Sequence, residues 1–299
     1  MLKKRYELRK QVKSVRWMIF WVVLAQIAAE MAMQAVTSFM AQPPHEYIQI
    51  AIVELLAIGI PIMVYGKSVW SGNGKNVAKE LMLNKCKPDL FCYAALLGIS
   101  GQFVMMALNI PANLYLQEVL QKETTDAIPV ALSIYEMLLG SLAVVIIPAV
   151  LEEFWLRGIL FKAYNDCNTG TAVIFSTMVF ALLHMRLNEV AGFIFMGLMA
   201  ALVLIRCQSL YAAMVYHAFS NLTALTFGFI LADVVEYIWI VFGVALLMFA
   251  VGLILLFARG KSVHATREFK QGRLLLNSIF SIPVVLSIVL LIAKFLLAQ

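Results

Sequence analysis

Eight ionisable side chains lie inside strongly apolar stretches of this sequence. A charged group near the centre of a bilayer costs several kcal/mol, so such residues are rare and are often functional. Most of them fall between residues 130 and 225. The set is Glu30, Glu54, Glu136, Glu152, Glu153, Arg157, His184 and His217. Glu54 and Glu136 each stand alone in their segments, and we assign them no role.

Glu152 and Glu153 are adjacent carboxylates that point in different directions, because successive positions on a helix are rotated by about 100°. Glu153 and Arg157 are four residues apart, so they can pair on one helix face. Glu152 then lacks this local cation and is available as a general base that takes a proton from water. The alternative is a structural ion cluster that holds helices together.

Two further pairs have the same four-residue spacing. Phe180 and His184 share one face of a predicted helix, and His217 and Asn221 share one face of another. A histidine in an apolar helix is often only a core residue with a satisfied hydrogen bond. His217 and Asn221 suit either hydrogen bonding between helices or donation to a developing oxyanion.

The composition is that of a polytopic membrane protein. Of the 299 residues, 63% are hydrophobic and 13% are charged, and the mean hydropathy is +0.89. Soluble domains have about a quarter of their residues charged. These values exclude a soluble enzyme, a disordered chain and a nucleic-acid binder, although the net charge is +6. The four cysteines lie far apart without a C-x-x-C spacing, so we expect free thiols.

Nine apolar segments are candidates to cross a bilayer, which requires roughly 20 residues. They are 17–40, 48–65, 90–110, 131–164, 171–187, 190–205, 210–228, 235–257 and 274–297. Basic residues cluster at the N-terminus and in the 66–89 and 258–273 loops, so the positive-inside rule predicts that these parts are cytosolic. Nine alternating spans place the C-terminus outside. We expect one membrane domain, 1–299.

Helix geometry brings four of the polar residues to one depth in the bilayer. Glu152 and His184 each lie roughly 18–20 Å from a predicted polar turn at 165–170, at 1.5 Å per residue. His217 and Asn221 lie roughly 12 and 18 Å beyond the next turn. The sequence therefore predicts an all-α, polytopic transmembrane helix bundle of eight to nine spans. Its four-helix catalytic core would be residues 130–228.

The motifs Glu-Glu-x-x-x-Arg, Phe-x-x-x-His and His-x-x-x-Asn occur in this order on successive helices. In this order and setting they resemble the CAAX protease and bacteriocin-processing family of intramembrane proteases, also called the Abi family. Relatives of that family are the type II CAAX prenyl endopeptidases. The resemblance covers about residues 130–225 and implies a glutamate-type intramembrane endopeptidase.

The resemblance also implies a role for each motif residue. Glu152 would be the catalytic base and His184 its partner on the water, while His217 and Asn221 would stabilise the oxyanion. The supporting residues are Glu153, Arg157 and Phe180. Zinc ligation by Glu152, His184 and His217 is chemically feasible. However, H-E-x-x-H is absent, and the resemblance implies a water activated by glutamate without an obligatory metal.

The implied partners are a peptide or membrane-protein substrate and membrane lipids, with no nucleic acid. The implied location is a cell membrane, taken as bacterial, with the N-terminus and the opening of the active-site cavity on the cytosolic side. The alternative is a catalytically silent membrane scaffold or regulator of the same fold. A transporter would use the carboxylates as proton carriers, but it predicts repeat symmetry that the sequence lacks.

Overall fold

The computed structural model describes residues 2–69, 81–119, 133–184, 186, 188–262 and 265–297, and the helices there account for its regular structure. In chain order the α-helices are α1 (Leu2–Ser38), α2 (Glu46–Glu54), α3 (Ile60–Val69), α4 (Pro88–Leu114), α5 (Ile134–Gly140), α6 (Ile147–Glu153), α7 (Phe161–Asn165), α8 (Thr169–His184), α9 (Val190–Cys207), α10 (Leu210–Val234), α11 (Ile238–Arg259), α12 (Gln271–Ile279) and α13 (Ile282–Leu297). The π-helical segments are π1 (Leu55–Gly59), π2 (Tyr115–Val119), π3 (Ser141–Ile146) and π4 (Phe154–Leu160). The all-α prediction is confirmed.

Within the described residues, six helical segments are long and apolar enough to cross a membrane. They are Lys3–Ser38, Glu46–Val64, Pro88–Val119, Ile134–Asn165, Val190–Cys207 and Ile238–Arg259. Helices α12 and α13 make a seventh if the bent pair is one span. The chain is therefore an integral, polytopic membrane protein, while the count of eight or nine spans stays a prediction. Part of the predicted 66–89 loop, residues 70–80, lies outside the described residues.

Two predicted spans have a different form from the one expected. Segment 171–187 is α8, which has 16 residues and ends at His184, so it is short for a plain crossing. Segment 274–297 is broken into α12 and α13, which are bent by 52°. Pro283 accounts for this break, because it has no N–H to donate to the carbonyl of Ile279 four residues earlier.

The contacts divide the chain into two compact units. Unit 1 comprises Met1–Leu83, Leu151–Met185 and His264–Gln299. Unit 2 comprises Asn84–Val150 and Arg186–Val263. The expectation of one membrane domain over 1–299, with a core at 130–228, stays a prediction.

In unit 1, polar side chains fix α1 at two levels. Arg16 donates to Ser278 Oγ at 2.9 Å and to the Tyr164 hydroxyl at 3.2 Å, and that hydroxyl donates to Ser278 Oγ at 2.8 Å. Further along α1, Glu30 forms an ion pair with Lys294 of α13. Hydrogen bonds between membrane helices resist rotation and sliding. They therefore hold α1 against α7, α12 and α13.

Asn168 forms the predicted polar turn between α7 and α8. Its Oδ1 accepts from the backbone N–H of Thr171 at 3.0 Å, and its Nδ2 donates to the carbonyl of Phe269 at 3.1 Å. Asparagine at a helix start satisfies one of the N–H groups that the first turn leaves without a helical partner. Its backbone also forms an isolated antiparallel bridge with Arg267. The turn thus sets where α8 begins, and therefore how far along the bundle His184 lies at its end.

In unit 2, polar side chains of α4 hold α9 and α10. Asn109 accepts through Oδ1 from the backbone N–H of Gly192 at 2.8 Å, in the first turn of α9. That N–H would otherwise lack a partner within its helix. Ser220 of α10 donates to Gln102 Oε1 of α4 at 2.9 Å. These bonds fix the position of α9 and the rotation of α10.

Gly98 lets α4 and α10 approach each other closely. A Cβ atom at this position would overlap the carbonyl oxygen of Tyr216 and lie 2.9 Å from Cβ of Phe219. We predict that Gly98→Ala lowers the free energy of unfolding by about 1–3 kcal/mol, because one helix must shift. The matched control is Gly243→Ala in α11, where nothing lies within 4 Å of the added Cβ. Thermal melting in detergent measures both variants, and equal melting temperatures would contradict the prediction.

Candidate functional site

The predicted Glu153–Arg157 pair is present in unit 1. Arg157 donates through Nη1 to Glu153 Oε1 at 2.9 Å, and both side chains are fully buried. Glu153 is the last residue of α6, and Arg157 lies in π4. A buried pair loses the solvation of both charges, so it is stable only when its geometry is good. The pair therefore fixes the junction between α6 and π4, where Glu152 also lies.

The Phe180 ring joins this ion pair to His184. Arg157 Cζ lies 4.9 Å from the centroid of the Phe180 ring, and the rings of Phe180 and His184 are 4.7 Å apart. A guanidinium over an aromatic face contributes about 2 kcal/mol when both are desolvated. Glu153, Arg157, Phe180 and His184 thus form one continuous row, which we call the Glu153–His184 row.

The imidazole of His184 is oriented by its own helix. Its Nδ1 atom lies 2.9 Å from the carbonyl oxygen of Phe180. A carbonyl oxygen only accepts, so Nδ1 carries the hydrogen and Nε2 is the basic nitrogen of the neutral ring. The predicted shared face of Phe180 and His184 is confirmed by this bond and by the ring contact. Any hydrogen bond that a neutral His184 ring accepts is therefore made through Nε2.

Glu152 directly precedes the Glu153–His184 row, and its carboxyl is in a different situation. Its Oε2 atom is buried and has no hydrogen-bond partner among the residues that the structure describes. Such atoms are rare in native proteins, and a catalytic role is one of the few reasons for them. The charged groups that act on it are Glu54, Glu153 and Arg157. Glu152 can therefore accept a proton from a bound molecule.

Glu54, the last residue of α2, is a candidate to which the sequence analysis gave no role. Its Oε1 atom is buried without a hydrogen-bond partner in the described part of the chain. Its carboxyl interacts electrostatically with those of Glu30 and Glu152. The spacing of residues could not reveal this, because Glu54 and Glu152 belong to different spans. The available signal was a carboxyl in an apolar helix.

In unit 2, the amide of Asn221 is held by the carbonyl of Val144, which lies four residues before Pro148. Pro148 has no N–H, so it cannot donate to the carbonyl of Val144 four residues earlier. Val144 lies in π3, and its carbonyl accepts from Asn221 Nδ2 at 2.9 Å. An asparagine amide has two hydrogens, and fixing one directs the other. Asn221 can therefore donate in a defined direction.

His217 lies one turn before Asn221 on α10, as the spacing predicted, and its side chain is buried. Ser220 projects from another side of α10, where it donates to Gln102. Because that bond fixes the rotation of α10, the face with His217 and Asn221 has one orientation within unit 2.

The structure thus divides the predicted site residues into two sets. Unit 1 contains Glu152, Glu153, Arg157, Phe180 and His184, and unit 2 contains His217 and Asn221. That all of them line one cavity stays a prediction. The cysteines are free thiols, as expected. Among the described residues, no three His, Cys, Asp or Glu side chains are grouped so that they could hold a metal ion. The expectation that no metal is needed stays a prediction.

Residues 134–223 match the family model described as type II CAAX prenyl endopeptidase Rce1-like. The match confirms the resemblance to the CAAX protease family. It covers less than a third of the chain, but that segment contains all four predicted catalytic residues. Because the family is one of endopeptidases, the match supports a protease. No curated protein and no solved structure matches the chain.

Arg157→Ala should lower the free energy of unfolding by about 3–5 kcal/mol, because Glu153 loses its cation inside the bundle. The matched control is Lys162→Ala, which breaks an i, i+4 pair with Asp166 whose side chains are partly exposed. That change should cost about 1 kcal/mol or less. Unfolding in detergent measures both variants. Similar losses of unfolding free energy for Arg157→Ala and Lys162→Ala would contradict the prediction that burial makes the Glu153–Arg157 pair the more stabilising of the two.

Proposed function

We propose that this chain is a glutamate-type intramembrane endopeptidase, in which Glu152 and His184 activate water while His217 and Asn221 stabilise the oxyanion. The observation that carries the proposal is the buried Oε2 atom of Glu152, which has no hydrogen-bond partner among the described residues; Glu152 directly precedes the Glu153–His184 row in the sequence. The family match supports it, as does the matched depth of the four residues along the sequence.

Hydrolysis begins when water attacks the carbonyl carbon of the scissile peptide bond. The Glu152 carboxylate takes one proton from this water as the new O–C bond forms. His184 accepts the other water hydrogen in a hydrogen bond through Nε2, which directs the oxygen towards the carbonyl carbon. General base catalysis of this kind contributes about 10²–10⁴-fold to the rate.

The tetrahedral intermediate carries a negative oxygen that needs hydrogen-bond donors. Asn221 supplies an N–H whose direction is set by its bond to Val144, and His217 supplies a ring N–H. Loss of one such donor typically costs about 10²–10³ in rate. The C–N bond then breaks, and Glu152 returns its proton to the leaving amine.

The two adjacent glutamates have separate tasks in this mechanism. Arg157 neutralises Glu153 at 2.9 Å, which makes Glu153 a poor acceptor for a proton from water. Glu153 instead holds Arg157 against Phe180, and Phe180 contacts His184. The base is therefore Glu152, and its neighbour positions the histidine.

The setting of the reaction is part of the proposal. The substrate is a peptide or a membrane protein that enters from the cytosol, in a bacterial cell membrane. The N-terminus and the 66–89 and 258–273 loops face the cytosol by the positive-inside rule, and their basic side chains contact anionic lipid head groups. The activated water needs no zinc, and nucleic acid is not a partner.

Glu152→Gln should abolish cleavage and leave the melting temperature near that of the wild type, because an amide keeps the size but cannot take the proton. We expect a loss of about 10²–10⁴-fold or more. The matched control is Glu136→Gln, which removes a glutamate from α5 outside the proposed site and should retain cleavage. The assay uses protein in liposomes with a farnesylated CAAX peptide and, separately, a pool of unprenylated transmembrane peptides, each with and without a chelator.

A Glu152→Gln protein with full biological effect in cells would contradict the proposal of a protease and favour the alternative of a catalytically silent scaffold. Loss of cleavage on chelation, with recovery on addition of stoichiometric zinc, would replace the metal-free mechanism.

Pro148→Ala tests the link between this proline and Asn221. Alanine supplies an N–H that competes with Asn221 Nδ2 for the carbonyl of Val144. We expect kcat to fall by up to roughly 100-fold, as for a misplacement of about 1 Å. The melting temperature should be unchanged or higher, because alanine favours helix far more than proline does. The control is Pro111→Ala, another proline inside a helix of unit 2, which should keep kcat. Full activity of Pro148→Ala would contradict the positioning of Asn221 by Val144.

A further inference from the structure

Two of the four cysteines, which lie far apart in the sequence, meet in unit 2. Cys86 lies two residues before α4, and Cys207 is the last residue of α9. We propose that Cys86 and Cys207 are a redox-sensitive pair, which closes to a reversible disulfide by exchange with a small disulfide such as oxidised glutathione. This inference goes beyond the proposed function and does not depend on it.

The first support is the contact between the two thiols. The side chains of Cys86 and Cys207 form a hydrogen bond with each other. The chain next to this contact is also joined, because Ser209 Oγ donates to the carbonyl of Asn84 at 2.5 Å. Ser209 follows Cys207 by two residues, and Asn84 precedes Cys86 by two. Since a disulfide forms without backbone movement only between neighbouring cysteines, these two bonds prepare the segments for one.

The second support is that the end of α9 is held in place. Gln208 follows Cys207 in the left-handed conformation, with a φ of 52°, and its N–H donates to the carbonyl of Leu204 at 2.8 Å. The carbonyl of Arg206 accepts from the N–H of Lys261 at 2.7 Å. A reactive group that is fixed beside its partner reacts with it at a high effective concentration. Closure of the pair therefore competes well against attachment of a second external thiol.

The third support is the different exposure of the two thiols. Cys86 is half-buried, while Cys207 is buried, so an external disulfide reaches Cys86 first and Cys207 completes the exchange. Lys85 and Lys87 flank Cys86 and are exposed, and their charges attract an anionic disulfide such as oxidised glutathione. Burial raises the pKa of the Cys86 thiol above its ordinary value. Little thiolate is then present at neutral pH, so the pair closes slowly.

The exchange balances with oxidised glutathione as its one co-reactant. The Cys86 thiol gives its proton to solvent, and the thiolate attacks one sulfur of oxidised glutathione, whose S–S bond breaks to release one glutathione thiolate. The Cys207 thiolate then attacks the Cys86 sulfur of the mixed disulfide and releases a second glutathione. Both released thiolates take up a proton. The two cysteines are oxidised by two electrons, and the glutathione disulfide is reduced.

The location of the pair gives the disulfide a regulatory meaning. Cys86 belongs to the 66–89 loop, which is cytosolic in the proposed topology. Because cytosolic glutathione keeps thiols reduced, the pair is open under ordinary conditions and closes when the glutathione pool becomes oxidised. The closed pair ties the segment before α4 to the turn between α9 and α10. Oxidation thus adds a covalent bond across unit 2.

Mass spectrometry of the purified full chain tests the pairing. After incubation with oxidised glutathione, the wild type should lose two maleimide-reactive thiols. Its digest should contain a peptide pair linked through Cys86 and Cys207, which dithiothreitol separates. Cys86→Ser and Cys207→Ser should form no internal cross-link. The matched control is Cys92→Ser, which removes the exposed thiol of α4 and should keep the cross-link.

A cross-link through Cys92, or a wild type that forms only mixed disulfides with glutathione, would overturn the proposal. If Cys207→Ser does not fold, Cys207→Ala replaces it and should likewise form no cross-link. None of these readouts needs a substrate, so they are independent of whether Glu152 supports cleavage.

Melting and pH dependence test whether the fold accommodates the closed pair. The oxidised wild type should melt about 5 °C or more above the reduced protein, because the cross-link closes a long loop of the unfolded chain. The rate of closure should rise about tenfold between about pH 7 and pH 8, because the raised pKa of Cys86 keeps its thiolate scarce in this range. A lower melting temperature on oxidation, or a rate that does not change with pH, would contradict the proposal.

Discussion

The buried Glu153–Arg157 ion pair is the interaction on which the unit 1 part of the site depends. Both side chains are fully buried, so the pair is stable only in a good geometry. That geometry places the guanidinium over Phe180, and Phe180 in turn contacts His184. In this pair the Arg157 guanidinium donates to Glu153. Two neighbouring glutamates, identical as residue types, therefore differ in their surroundings: Glu153 accepts from Arg157, and the Oε2 atom of Glu152 has no hydrogen-bond partner among the described residues.

A second constraint, the missing N–H of Pro148, acts in the same manner within unit 2. In an apolar setting a carbonyl without a donor must find another one. The carbonyl of Val144, to which Pro148 cannot donate from four residues on, accepts from the amide of Asn221 on another helix. In each unit, a polar group is thus paired with a side chain of the candidate site: Glu153 with Arg157 in unit 1, and the Val144 carbonyl with Asn221 in unit 2.

The sequence predicted contacts within helices and not those between them. The pairs Glu153–Arg157 and Phe180–His184 follow from the fixed rise and rotation of a helix. The contact of Arg157 with Phe180 depends on which helices pack together and how each is rotated, which one sequence does not state. The π-helical segments also lacked a clear sequence signal, because a π-bulge can form in any apolar helix whose neighbours stabilise it. Pro283 was a sequence signal for the break before α13, but the length of the apolar stretch 274–297 alone predicted one continuous span.

The charges inside unit 1 follow one rule, which is that each carboxyl in a membrane requires a cation, a donor or a proton. Glu30 has Lys294 and Gln26, and Glu153 has Arg157. Lys294 lies on a different helix from Glu30, and Arg157 lies four residues after Glu153. For Glu54 and Glu152 the described residues supply neither a paired cation nor a hydrogen bond to the buried oxygens. The low dielectric that holds Glu30 and Glu153 in fixed pairs therefore sets Glu54 and Glu152 apart from them.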